Sequence, residues 1–363
     1  MSRFDARDYG FWFVRLVDRL GLGPFGGAIV VALVPYLLAL ILVSPFGDAE
    51  LYLRTPAFYI GLGGVALVMA ASVRGVEILT KGLSELQEVA RDPKKFHEYA
   101  DKQLVVAARG RSNLGLLALF LVGAAVLVVA ALHRWRKTGV IPLGHRFRAF
   151  PLDWHASNAL APAALALAVF AIAVAITFGG SAILLGRNLR FAWRLRTFKY
   201  MPFPGRVRLG VRTLVTAYAW VSGTWMVGVA LFALFFFRDW SWLTITGIAI
   251  LVILGTLTLA IPYSGFRKIL DDTHEAMALL LAREVEPKRH GHTLTLDDVS
   301  AFAAVNTAIT ADPPPVLTRR GAIVYGLVQI AAVGSIFAKD FLQEQVSFLS
   351  SDKSDTSKPR HPS

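Results

Sequence analysis

Apolar residues in this chain gather into long runs, at approximately 24–46, 56–73, 113–132, 159–185, 209–237 and 240–264. Each run approaches or exceeds the roughly 20 residues that a helix needs to cross a ~30 Å hydrocarbon layer. A soluble core helix is mostly shorter and carries charge along one face. A seventh run, 322–338, is 17 residues long and has Gln329 near its middle. Arg319 and Arg320 precede it and Lys339 and Asp340 follow it, so it frames a further crossing at the short limit for a span. The pattern predicts an all-α fold: a polytopic transmembrane helical bundle of six spans plus this seventh, with helical extensions on the cytoplasmic side.

Polar and apolar positions also alternate outside the runs. In residues 1–23, Tyr9, Trp12, Phe13, Leu16 and Leu20 share one helical face and Arg7, Asp8, Arg15, Asp18 and Arg19 lie opposite, which predicts an amphipathic helix at the membrane interface. Residues 24–264 form the six-span bundle, interrupted by a cytoplasmic helical loop at 74–112. There, 74–91 continues the second span as a helix, Asp92-Pro93 breaks it, and 94–109 forms another. Residues 265–318 hold a helix with an apolar face at Phe266, Ile269, Leu270, Thr273, Met277, Leu280 and Leu281, a short capped helix from Thr295, and the linker Pro313-Pro314-Pro315. The seventh helix occupies 319–349, and the polar tail 350–363 lacks the apolar residues needed to fold. The extensions after the second and sixth spans are expected to pack together as a small bundle.

Composition agrees with the pattern, at 55% hydrophobic and 17% charged residues with a mean hydropathy of +0.53. The chain has no cysteine, which excludes disulfides, thiolate zinc sites, iron–sulfur clusters and cysteine nucleophiles. Arginine and alanine are abundant and no cleavable signal precedes the first span, so the expected location is the bacterial inner membrane, multi-pass. With the six-span topology, 27 Lys and Arg fall on the N-terminal side of the membrane and 7 on the other, placing the N-terminus in the cytoplasm.

None of the six runs has an ionisable residue in its central region. Carboxylate-driven proton transport is thereby disfavoured, because such residues at membrane depth mark ion-coupled sites. A channel, passive transporter or receptor survives this test, since hydroxyls, aromatics and backbone dipoles can line a pathway. The fifth run supplies the candidates Thr213, Thr216, Trp220 and Thr224 on one face. Gln329 of the seventh is expected to face it.

Between 186 and 212 the chain carries eight basic residues, no acidic ones, and interleaved aromatics including Phe191, Trp193 and Phe198. Arg187, Arg190 and Arg194 share a helical face near phosphate depth and are candidates for binding anionic lipid head groups. Nucleic acid is not expected, as no recognition motif accompanies the charge. A homo-oligomer or a cytoplasmic protein partner remains open, and a scaffold or regulatory subunit is an alternative reading with Ile269, Met277 and Leu280 as the recruiting face.

A membrane enzyme acting on lipid-linked or phosphorylated substrates is the other alternative, with Asp271, Asp272, His274 and Glu275 as its acid–base or metal groups. Their spacing to Arg267 and Lys268 instead suggests i,i+4 pairs on a solvated helix face. His133, His145, Asp153 and His155 have spacing too irregular for structural zinc. Gly21-Leu22-Gly23-Pro24-Phe25-Gly26 spells GxGxxG but follows a helix and contains proline, so it lacks the strand–turn–helix context of nucleotide binding. No GxSxG, Walker A or HExxH pattern occurs. The sequence therefore calls for no cofactor, no metal and no identified catalytic residue.

Overall fold

Chain crossing hydrocarbon must satisfy its own backbone polar groups, and a helix does so within one segment. The computed structural model describes residues 4–47, 49–109, 191–201, 204–236 and 242–289, together with Asp297, Ser300, Ala303, Gly326, Leu327, Ile330 and Gly334. The regular secondary structure of these residues is helical, with turns between and one isolated antiparallel bridge between Ala90 and Tyr200. In chain order the helices are α1 Trp12–Leu20, α2 Gly23–Val43, α3 Ala49–Arg54, α4 Pro56–Val89, α5 Pro93–Arg109, α6 Pro204–Phe236 and α7 Trp242–Arg289.

Among the described residues, three segments are long and apolar enough to cross a membrane: Gly23–Val43, Phe58–Val89 and Ile248–Leu280. They correspond to the first, second and sixth apolar runs, and α6 carries the fifth. The third and fourth runs lie outside the described residues. So does the seventh apart from Gly326, Leu327, Ile330 and Gly334, which are helical.

The two extensions read from the sequence are continuous with their spans. α4 runs unbroken for 34 residues through Arg74 and ends where Asp92-Pro93 follows. α7 runs for 48 residues, passing through both Pro262 and Pro287, so neither proline ends the helix. α2 likewise passes through Pro35.

Asp92 starts α5 by a specific mechanism. Its carboxylate accepts the backbone N–H of Lys95 at 3.1 Å, and Pro93 occupies a position that has no helical N–H partner to lose. These hydrogen bonds, with the Lys95 ammonium 3.0 Å away, hold the Asp92 carboxyl below its ordinary pKa. A lowered folded-state pKa gives stability that is complete above the unfolded value and is lost as pH falls through the folded one. Protection of the first-turn amides of α5, read as exchange relative to the intrinsic rate at each pH, is therefore expected to fall below about pH 4. Asp92→Ala should lower that protection already at neutral pH and remove its pH dependence.

α1 is amphipathic as expected, but its apolar residues divide between two faces. Phe13, Val14 and Val17 are buried against Ala28 of α2 and Met69, Ala70 and Val73 of α4. Trp12, Leu16 and Leu20, at i, i+4 and i+8, remain exposed. The helix thus has an inward face, an outward apolar stripe suited to lipid, and an exposed polar strip at Arg15, Asp18 and Arg19. Gly21 and Gly23 both have positive φ, and the Gly21 N–H closes α1 onto the Asp18 carbonyl. The GxGxxG letters therefore build a left-handed turn between two helices.

Candidate functional site

Small residues set how closely two helices approach, and α4 and α6 meet through three glycines. A Cβ placed on Gly82 would stand 3.0 Å from the Leu214 backbone nitrogen, and one on Gly210 would stand 3.0 Å from that of Leu86. Further along, a Cβ on Gly75 would touch Val221 at 3.4 Å. These contacts fix the register: the helices run antiparallel, with 75, 82 and 86 of α4 beside 221, 214 and 210 of α6. A Cβ on Gly61 or Gly64, in the apolar part of α4, would meet nothing within 4 Å among the described residues. The close crossing lies farther along the helix, where the span becomes its polar extension.

At that polar end the extensions form one core. Leu83, Leu86 and Val89 of α4, Phe96, Ala100 and Leu104 of α5, Phe191, Ala192 and Leu195, the start of α6, and Phe266, Ile269 and Leu270 of α7 are buried together. Arg91 N–H to Lys199 carbonyl and Met201 N–H to Val89 carbonyl, both 2.8 Å, fasten the 191–201 segment beside the α4–α5 turn. The N-terminal segment joins this core through Phe4, whose N–H donates to Ser84 Oγ at 3.0 Å and whose ring stacks on His97.

Ile269 is buried in this core, so it belongs to an internal face. Met277 is partly covered and Leu280 is exposed, so the face read as a recruiting surface is divided.

The four polar residues of the fifth run lie on α6 with different partners. Thr213 donates to Glu85 Oε2 of α4 at 2.6 Å. Thr216 donates to the Arg212 carbonyl at 2.8 Å, and Thr224, which is buried, donates to the Trp220 carbonyl at the same distance. These last two are back-bonds of the kind that let hydroxyls sit within a helix. Trp220 is 39% exposed. Ser222 and Trp225, displaced around the helix, hold α6 to α7 by donating to the carbonyls of Gly255 at 2.5 Å and Leu251 at 2.9 Å. Gln329 lies outside the described residues, so its orientation toward this helix has no counterpart here.

Thr213, Thr216 and Trp220 share a lateral cleft with a set of α4 residues that sequence reasoning did not single out. Arg74, Glu77, Ile78 and Lys81 form its α4 wall and Leu209, Arg212, Thr213, Thr216 and Trp220 its α6 wall, around a volume of about 440 Å³. Spacings of i, i+3, i+4 and i+7 on each side make two facing stripes. Arg74 pairs with Glu77 at 2.9 Å. Among the described residues no ion pair involves Lys81 or Arg212. The signal was in the sequence, since 74 and 81 lie two turns apart on one face, but both cations read equally well as ordinary topological charge.

The basic run is only partly described. Arg187 and Arg190 lie outside the described residues, and Arg194 is exposed beside Tyr99 of α5. Burial pushes the Tyr99 hydroxyl upward in pKa, while the Arg194 charge and hydrogen bond oppose that shift. Arg196 reaches Asp272 of α7 through two hydrogen bonds, 2.7 and 3.3 Å. The Lys268 ammonium sits 4.6 Å from the centre of the Trp193 ring. Asp272 and Lys268 were expected to pair with each other along one helix turn. Instead each engages the 191–201 segment, because that segment packs across this face of α7 and offers a planar guanidinium and an aromatic face.

Among the described residues no group of three or more His, Asp or Glu is arranged to hold a metal. The outer-loop histidines His133, His145 and His155 lie outside the described residues.

The chain matches no protein-family model, no curated protein and no solved structure.

Proposed function

We propose that this membrane protein is a receptor or passive carrier that admits an amphiphilic ligand sideways from the bilayer, between α4 and α6. One observation carries the reading: the hydroxyl and tryptophan face of α6 lines the side cleft with Arg74, Lys81 and Arg212. Its volume falls within the roughly 300–1,000 Å³ typical of small-molecule sites. The wall is graded, with Lys81, Arg212 and the threonine hydroxyls toward the polar end and Trp220, beside the paired Arg74, toward the span. A ligand with one charged and one apolar end matches that gradient.

Thr216 and Thr224 donate their hydroxyl protons to the preceding turn and Thr213 donates its own to Glu85, so the donors this wall offers a ligand are the cations Arg74, Lys81 and Arg212. The six-span topology with a cytoplasmic N-terminus, in a bacterial inner membrane, belongs to the proposal; it would put the cleft at the cytoplasmic edge of the bilayer.

The absence of cysteine permits a direct test. A nitroxide attached to Thr216→Cys in reconstituted protein is expected to be relaxed by lipid-dissolved oxygen and to lose that exposure when an amphiphile occupies the cleft. A label shielded from both oxygen and aqueous nickel chelate would show that the cleft is closed in the membrane and overturn the reading. Ion flux through protein-containing liposomes, absent from empty ones, would favour a channel instead.

A further inference from the structure

We propose that the α4–α6 cleft binds the phosphate head group of an anionic membrane phospholipid, with Lys81 and Arg212 as the contacts that bear the charge. The inference rests on the lateral-access reading above and names the ligand class of that site.

Charge is the first argument. The lining contains three cations and one carboxylate, and Glu77 is already engaged by Arg74 at 2.9 Å. Glu85 flanks the cleft but accepts the Thr213 hydroxyl at 2.6 Å. Lys81 and Arg212 therefore stand in one concavity, on opposite walls, with no carboxylate pair among the described residues. Two cations facing each other across a gap repel. A monoanionic or dianionic phosphate between them removes that repulsion and gives the guanidinium a planar, two-oxygen partner.

Depth is the second argument. The apolar part of α4 ends at Val73, and Arg74 and Lys81 follow it by one and eight residues. At a rise of 1.5 Å per residue, the Lys81 Cα lies about 12 Å beyond the apolar boundary along the helix, past a headgroup layer of roughly 5–7 Å. Its long side chain leans toward the helix N-terminus, and so toward the bilayer, and reaches back to the phosphate level. Antiparallel register puts Thr216 and Arg212 at the Lys81 end and Trp220 nearer Arg74. Tryptophan at that level suits the glycerol and carbonyl layer, where an indole has both apolar and hydrogen-bonding neighbours. The lipid phosphate then meets Lys81 and Arg212, and its chains leave past Trp220 into the bilayer.

Soluble phosphate shares the first argument but not the second. Ile78 and the ring faces of Trp220 give the cleft an apolar side that a free anion leaves uncovered, so the lipid is the occupant the cleft fits better.

The test uses full-length protein delipidated in mild detergent and supplied with phosphatidic acid or with phosphatidylcholine of the same chains, lipid retention being read by native mass spectrometry. Wild type is expected to retain phosphatidic acid preferentially. Lys81→Gln with Arg212→Gln should lower that retention about 30-fold, from roughly two surface-depth cationic contacts, and leave phosphatidylcholine unchanged. Lys94→Gln with Lys95→Gln, on the exposed start of α5, removes the same charge elsewhere and should change little. Unchanged helix content and a single size-exclusion peak establish that the variants fold.

Equal retention of phosphatidic acid by the folded Lys81/Arg212 variant overturns the inference, and so does full displacement of the lipid by millimolar inorganic phosphate. If the Thr216 label remains lipid-accessible while both charge variants behave alike, lateral access stands and the anionic head group falls. If the label is shielded as well, both fail.

Discussion

Replacing Gly82 by leucine is expected to abolish the folded protein, leaving aggregate in place of a single size-exclusion peak in mild detergent. A single added methyl group already brings a Cβ to 2.9 Å from two side-chain carbons of Leu214 and 3.0 Å from its backbone nitrogen. Leu214 can rotate, but its backbone nitrogen belongs to the helix, so α4 and α6 must move apart. That separation loosens the packing of Leu83 and Leu86, both fully buried on the same α4 extension. Gly82→Ala sets two effects against each other. Helix propensity favours alanine by up to ~1 kcal/mol, whereas overpacking costs about 1–3 kcal/mol, so the net change is destabilising. Gly210→Ala, against Leu86, should behave alike.

Gly61→Ala and Gly64→Ala meet no neighbour within 4 Å among the described residues, so only the propensity gain applies and thermal stability should hold or rise. Equal losses at all four positions would remove the α4–α6 crossing as the cause.

Element types were legible because the apolar runs are long and uniform. So were the extensions: the stretch from Arg74 to Val89 keeps apolar residues at helical spacing, and Asp92-Pro93 is a recognisable end. Register and partner choice were not legible. Gly61 and Gly64 look more like a packing strip than Gly75 and Gly82 do, because they lie in a purely apolar segment. Yet close approach depends on which residue faces the neighbouring helix, and single-helix spacing does not contain that information. The same limit applies to Asp272. Along its own helix Lys268 is the natural partner, and only the docking of the 191–201 segment makes Arg196 the better one.

The site divided in the same way. Thr213, Thr216 and Trp220 could be picked out because hydroxyls and indoles are uncommon in an apolar run. Arg74 and Lys81 sit where every membrane protein accumulates positive charge, so nothing in the sequence distinguishes a ligand contact from a topological signal. The proposal of a ligand contact rests on the pairing of Arg74 with Glu77 and on the second wall supplied by α6.

Phe266→Ala is expected to produce the largest loss of stability among side-chain truncations on α7. Phe266 is fully buried where α7 leaves the apolar part of its course, with its ring centre 5.6 Å from that of Tyr218 on α6. Ala192, Leu195, Ile269 and Leu270 belong to the same core, so the ring ties the 191–201 segment, α6 and α7 together. Truncating a buried phenylalanine costs about 3–5 kcal/mol, the lost transfer energy being increased by an unfilled cavity. Relaxation is restricted here, because Gly265, its neighbour, already approaches Ala192 so closely that a Cβ would lie at 3.1 Å. Leu279→Ala on the same helix provides the contrast. Its side chain is 58% exposed, so truncation removes little buried surface and should shift stability by only a few tenths of a kcal/mol. Denaturant titration of the purified protein, followed by far-ultraviolet circular dichroism, separates the two. A loss at Leu279 as large as that at Phe266 would mean that the exposed length of α7 is covered in the folded protein, and that the core at the polar end extends along it.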